Sequence, residues 1–212
     1  MKICFHIPHF LFAAFLLTSA LALSAQNGAA SALEQVRIAM LQEDYRTAAK
    51  EASKLYFLTS DSAVAEEALN LSVSANLAIR NAGGKVSESF GIRINKAAKR
   101  LLLLTAEGTI CRSFELECGA DFSVPSGDFT VGTKLAYPNY ELNGQFYKFN
   151  RPGNTLGSRW IELRNAEGTP VSGIHGEAPQ TAESEHLFFR LKNSDINEIF
   201  VLLSEGGTVL VM

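Results

Sequence analysis

The chain has 212 residues, 47% of them hydrophobic, with a formal net charge of -3. That length suits one medium domain with a small extra element, and the apolar content argues for a packed core and against wholesale disorder. No basic excess is available to neutralise phosphates, so a nucleic-acid partner is excluded from the expectations.

Lys2 opens the chain with a short positive stretch, and Phe10 to Leu23 is an unbroken run of apolar and small residues. Ala20-Leu21-Ala22 and Ala22-Leu23-Ser24 both fit a signal-peptidase site, and cleavage after Ser24 is the preferred expectation. The run is short for a bilayer span, which disfavours a retained anchor. Residues 1–24 are therefore read as a signal peptide, and the mature chain as exported to the periplasm or cell envelope. No lipid-anchor cysteine follows the leader.

Residues 25–85 have a different texture, rich in Ala, Leu, Glu and Lys. Leu33, Val36 and Met40 recur at helical spacing, as do Ala48, Ala49, Ala52 and Leu55, and then Ala65, Ala68 and Leu69. Gln42-Glu43-Asp44 and Thr59-Ser60-Asp61-Ser62 are break and capping signals, so two or three helices are expected, forming a small helical hairpin region. The piece Gln42 to Ala52 resembles the middle of a tetratricopeptide-type hairpin, but no second copy recurs at a fixed period. Residues 32–79 are a candidate docking surface for a protein partner.

Asn81-Ala82-Gly83-Gly84 breaks the helical pattern. From residue 86 to 212 short β-type runs alternate with glycine-marked turns: Gly91 to Asn95, Leu101 to Leu104, Thr109 to Cys118, Asp128 to Thr133, Arg159 to Leu163 and Thr208 to Met212. One late helix is expected, with Asn193-Ser194-Asp195 as its cap region and an apolar stripe at Ile196, Ile199, Phe200 and Leu203. The fold class predicted is mainly β, preceded by the helical hairpin. Once the leader and Cys4 are removed, Cys111 and Cys118 remain. An oxidising compartment lets two thiols pair, but their odd separation on one strand points them to opposite faces, so a disulfide needs a bend between them.

The order of motifs in this second part is informative. Val124-Pro125-Ser126-Gly127-Asp128-Phe129 is followed by Gly157-Ser158-Arg159-Trp160-Ile161, then Ile174-His175-Gly176, then His186-Leu187-Phe188-Phe189-Arg190, then Asp195 to Phe200, and last Gly207-Thr208-Val209-Leu210-Val211. Over roughly residues 90 to 212 this set resembles the L,D-transpeptidase (YkuD-type) catalytic domain, whose motifs run TPxGxF, IHG, SHGCxR and a terminal GTxV strand. The resemblance implies a sandwich-like β barrel, an envelope location and contact with peptidoglycan or its stem peptides, with no cofactor and no metal. It implies family-site positions at His175, His186, Phe188 and Arg190, and substrate-binding candidates at His175, Gly176, His186 and Arg190.

The match departs from the family at the decisive place. Phe188 stands where the nucleophilic cysteine belongs, Leu187 where the preceding glycine belongs, and Glu185 where the serine belongs. Acyl transfer of this kind needs a polarizable nucleophile activated by a neighbouring base, and a phenyl ring has no lone pair to offer. The two larger apolar side chains read as conversion of a site into core. Cys118, with His175 or His186 as base, is the alternative nucleophile, and Ser126 and Ser184 are weaker candidates. Arg190 can hold a carboxylate bidentately or sit in a structural salt bridge. His175 and His186 lack tight metal-ligand spacing. Three functions follow: a non-catalytic peptidoglycan-associated protein, an active or divergent L,D-transpeptidase using Cys118, or an interaction module acting through its helices.

Overall fold

The computed structural model describes residues 28–117, 124–142, 144–177 and 188–212. The leader at 1–24, Cys118, Ser184, His186 and Leu187 lie outside the described residues. The chain divides into two compact units between Ala75 and Asn76.

The first unit is helical. Helix α1 covers residues 28–41, α2 covers Tyr45–Leu58 and α3 covers Ser62–Asn81, its residues from Asn76 on counting in the second unit. There are thus three helices here, one more than a simple hairpin, because Gln42-Glu43-Asp44 is a full break. Glu43 adopts a left-handed backbone with φ of 59°, and the Asp44 carboxylate then accepts from the Thr47 N–H at 3.2 Å, capping the first turn of α2. Asp61 does the same for α3, accepting from the N–H groups of Ala63 and Val64.

Small side chains set the packing of this unit. Ala39, Ala48, Ala49, Ala52 and Ala75 are buried together with Val36, and Tyr45 packs against them. Alanine carries no long side chain to hold backbones apart, so helices can approach closely. The close approach buries two hydroxyls, which satisfy one another: Ser53 Oγ donates to the Ala49 carbonyl at 2.7 Å and lies 2.7 Å from Ser72 Oγ. Among the described residues, no helix is long and apolar enough to cross a membrane.

The second unit is mainly β with one late helix, as the sequence predicts. Its strands are β1 (Phe90–Asn95), β2 (Arg100–Thr105), β3 (Ile110–Glu115), β4 (Gly127–Ala136), β5 (Tyr140–Leu142), β6 (Gln145–Tyr147), β7 (Arg159–Arg164), β8 (Pro170–His175), β9 (Phe188–Arg190) and β10 (Thr208–Val211). Helix α4 (Asn193–Leu202) lies between the last two. Eight strands form one sheet in the order β3-β2-β1-β10-β4-β7-β8-β9, and β5 and β6 form a separate hairpin. All neighbours in the large sheet are antiparallel except β1 with β10 and β8 with β9.

Alternation along the strands builds the core. Ile161 and Leu163 of β7, Ile174 of β8, Phe189 of β9, Phe129 and Val131 of β4, and Val209 and Val211 of β10 are all buried. Helix α4 adds Ile196 and Ile199, and Leu203 follows just beyond its end. The run Leu101-Leu102-Leu103 in β2 is buried at every position, the signature of a strand covered on both faces.

Several expectations need adjustment. Strand β3 ends at Glu115, not at Cys118; beyond it, Glu117 forms an isolated bridge with Arg190. The hairpin β5–β6 is not among the expected elements, because three-residue strands are too short to show an alternating pattern. Asn193-Ser194-Asp195 does not cap α4. All three lie within its first turn, and the N-cap position, Lys192, makes no side-chain cap bond. Cys111 is a free, buried thiol that donates to the Leu103 carbonyl at 3.3 Å.

Adjacent residues of β9 point to opposite faces, so their truncations have different costs. Phe189→Ala, emptying a fully buried site, is expected to cost about 3–5 kcal/mol. Phe188→Ala, on the half-buried side, is expected to cost clearly less. Urea melts of the two variants check this.

Candidate functional site

Strand register assembles the site. Leu135 of β4 stands opposite Trp160 of β7, Trp160 opposite His175 of β8, His175 opposite Arg190 of β9, and Arg190 opposite Glu117. Residues directly opposite in a sheet share a face, so these five form one lateral row. Glu162, Gly173 and Phe188 form the next row on the same face. The intervening residues Ile161, Ile174 and Phe189 point to the core. The two-residue period of a strand therefore places His175, Phe188 and Arg190, three positions that the motif order singles out, on one face.

His175 is 2% exposed. Its Nδ1 lies 2.7 Å from the Gly176 carbonyl oxygen; a carbonyl only accepts, so Nδ1 carries the proton in this bond. Burial pushes the imidazole down to about 4, with hydrogen bonding to the Gly176 and Thr155 backbones opposing the shift and the positive charge of Arg190 adding to it. The ring is neutral at physiological pH.

Phe188 faces this imidazole edge-on, with ring centroids 6.2 Å apart and planes at 88°. Its other neighbour is Trp160, at 4.9 Å and 88°. Trp160 lies flat over Gly173: a Cβ built there would meet the indole at 2.2 Å. The expectation that Phe188 converts the site into core is corrected here. The core side chain is Phe189, and Phe188 is half-buried on the opposite face. Trp160 is part of the ordered motifs, but only the strand pairing reveals that it lies in the same row as His175 and against Phe188.

Arg190 is engaged. Its Nε donates to Glu117 Oε2 at 2.7 Å and its Nη2 donates to the same oxygen, while the two residues exchange backbone hydrogen bonds. Of the two roles open to Arg190 in the sequence, the structure contains the salt bridge. Both side chains are part-exposed, so the pair is worth little to stability.

Gly176 sits where chains cross. Gly157, with φ of +62°, approaches so closely that a Cβ on it would lie 2.4 Å from the Gly176 carbonyl carbon. Asn193 reaches into the same crossing. Its Oδ1 accepts from the Ser158 N–H at 2.9 Å, and its Nδ2 donates to the Glu177 carbonyl at 2.8 Å.

Among the described residues, Cys111 and Ser126 lie outside the row. Burial pushes the Cys111 thiol up to about 12, far from a reactive thiolate. Ser126 is exposed in a bend before β4. Among the described residues, no three His, Cys, Asp or Glu side chains are grouped to hold a metal ion.

No protein-family model and no curated protein matches the chain. Solved structures of L,D-transpeptidases do match part of it. A mutant of the Enterococcus faecium L,D-transpeptidase is 18% identical with a TM-score of 0.43, over 61% of this chain and 52% of that one. L,D-transpeptidase 1 of Mycobacterium tuberculosis is 17% identical with a TM-score of 0.41, over 58% of this chain and 61% of that one. The L,D-transpeptidase of Xylanimonas cellulosilytica is 19% identical with a TM-score of 0.40, over 64% of this chain and 68% of that one. The chain thus spans about half the length of the Enterococcus faecium structure.

Two outcomes follow from this geometry. Because the folded state holds His175 neutral, the unfolded state binds more protons between about pH 4 and the ordinary histidine value of 6.5. Stability is therefore full above pH 6.5 and declines as pH falls through that window; urea melts across the range should show the decline, and His175→Gln should flatten it. Trp160 is the sole tryptophan, so Gly173→Ala, which displaces the indole, is expected to red-shift the intrinsic fluorescence of the folded protein.

Proposed function

We propose that this is an exported, peptidoglycan-associated protein whose β unit binds stem peptides without transferring their acyl groups. The observation that carries the reading is the Phe188 ring, set against His175 at 6.2 Å at the motif position of the nucleophile. A neutral imidazole beside a thiol is the pairing that nucleophilic acyl chemistry requires. Beside a phenyl ring it has no proton to take, and the ring packs edge-on against Trp160 instead.

Supporting this are the ordered motifs from Pro125 to Val211 and the gathering of His175, Gly176, Phe188 and Arg190 at one end of β8 and β9. What remains is a sheet face with two aromatic rings, a buried imidazole and a part-exposed guanidinium. Arg190 offers a carboxylate-binding group if Glu117 yields it, and free carboxylates are abundant in stem peptides. Rings and cations without a nucleophile suit binding or scaffolding in the cell wall.

The test pairs two measurements on the mature chain from residue 25. Purified sacculi are expected to retain it, and intact mass after incubation with a β-lactam or a peptide acyl donor is expected to be unchanged. A covalent adduct, abolished by Cys118→Ala, would overturn the non-catalytic reading. Failure of sacculi to retain the protein would overturn the peptidoglycan association.

A further inference from the structure

Asn193 belongs to none of the motifs that define the site, yet its side-chain amide is wholly committed to it. The residue is the first of α4, one beyond the N-cap position Lys192, and short polar side chains at helix starts commonly bond to local backbone groups. This one turns outward. Oδ1 accepts from Ser158 N–H at 2.9 Å, and Nδ2 donates to Glu177 carbonyl at 2.8 Å. It thereby ties the residues after Gly157 to the residue after Gly176.

Two glycines make room for this clamp. A Cβ on Gly176 would lie 2.2 Å from Asn193 Oδ1, and one on Gly157 would lie 2.4 Å from the Gly176 carbonyl carbon and 2.6 Å from the Glu177 oxygen. The Gly176 N–H is also held, shared between the Leu156 and Arg159 carbonyls at 3.1 and 3.3 Å. Below it, Asn197 Oδ1 accepts from Ser158 Oγ at 3.2 Å. The Gly176 peptide thus has fixed neighbours on every side. Its carbonyl oxygen is the group that His175 Nδ1 meets at 2.7 Å.

We infer that Asn193 is a positioning residue for His175. By clamping the 157–158 turn onto Glu177 it holds the Gly176 carbonyl against Nδ1, and so fixes both the ring's orientation and the nitrogen that carries its proton. Asn193 does not touch the imidazole and acts only through the Gly176 peptide. A neutral imidazole has two tautomers, and the one present is set by the partner of its protonated nitrogen. Here the Thr155 backbone is a second hydrogen-bonding neighbour of the ring. A carbonyl released from its clamp loses its hold on the proton to that neighbour or to water. The importance of this ring to ligand binding rests on the function proposed above; the clamp itself does not.

The measurement is the imidazole nitrogen spectrum of the ¹⁵N-labelled mature chain at neutral pH. Only His175 and His186 remain after residue 24, and His186→Gln assigns the two. The expected wild-type result is a single Nδ1–H tautomer at His175. Asn193→Ala is expected to shift the population toward Nε2–H. Asn193→Asp keeps the acceptor for Ser158 but sets a carboxylate against the Glu177 carbonyl, and is expected to shift it the same way; it serves if the alanine variant does not fold. A folded variant with the wild-type tautomer, or a wild-type ring protonated on Nε2, overturns the inference. Sacculus retention of wild-type protein, measured in parallel, reports on the binding reading separately: its loss with an intact tautomer effect removes that reading and leaves the clamp.

Discussion

The site depends on one constraint, the two-residue period of a strand carried across β4, β7, β8 and β9. Because Leu135, Trp160, His175 and Arg190 are in register, they share a face, and Ile161, Ile174 and Phe189 are driven to the other. Core and site are the two sides of one sheet. A slip of one residue in β9 would bury Arg190 and Phe188 and bring Phe189 out. The apolar cost of exposing Phe189 therefore keeps Phe188 on the face it shares with His175.

The same economy governs the turn beyond β8. Gly157 and Gly176 allow backbones to meet without side chains between them, and Asn193 satisfies the polar groups that the crossing would otherwise leave buried and unpaired. The consequence for chemistry is a buried imidazole in a defined orientation. Its surroundings are apolar on the Phe188 and Trp160 side and peptide on the other. Among the described residues, the ring that meets the imidazole is the phenyl of Phe188, which offers it no proton to take.

Much of the second unit was legible from residues alone. The β1–β2 hairpin, β4, β7, α4 and β10 follow from apolar runs punctuated by glycines, since alternation and turn chemistry are local properties. The three-residue strands β5, β6 and β9 were not legible as strands, being shorter than any periodic pattern. Asn193 was read as a capping residue because its type and place before an apolar stripe fit that role; its actual partners, Ser158 and Glu177, are remote in sequence. Glu117 was invisible as a site residue for the same reason, and Trp160, present in the ordered motifs, takes its place in the row only through strand pairing. Phe188 was found by motif order, but the side it faces needed the register. In the first unit Asp44 and Asp61 marked their breaks correctly, and composition alone left open whether they bounded two helices or three.

The most direct test of this account is a through-space proton NMR experiment on the folded mature chain, observing the ring of Phe188. The account predicts cross-peaks from that ring to both the Trp160 indole and the His175 imidazole, with Phe189 instead contacting the aliphatic core. Cross-peaks from Phe188 to Ile161, Ile196 or Ile199 and none to His175 would contradict it, because they would put the aromatic ring in the core and leave the space beside the imidazole open.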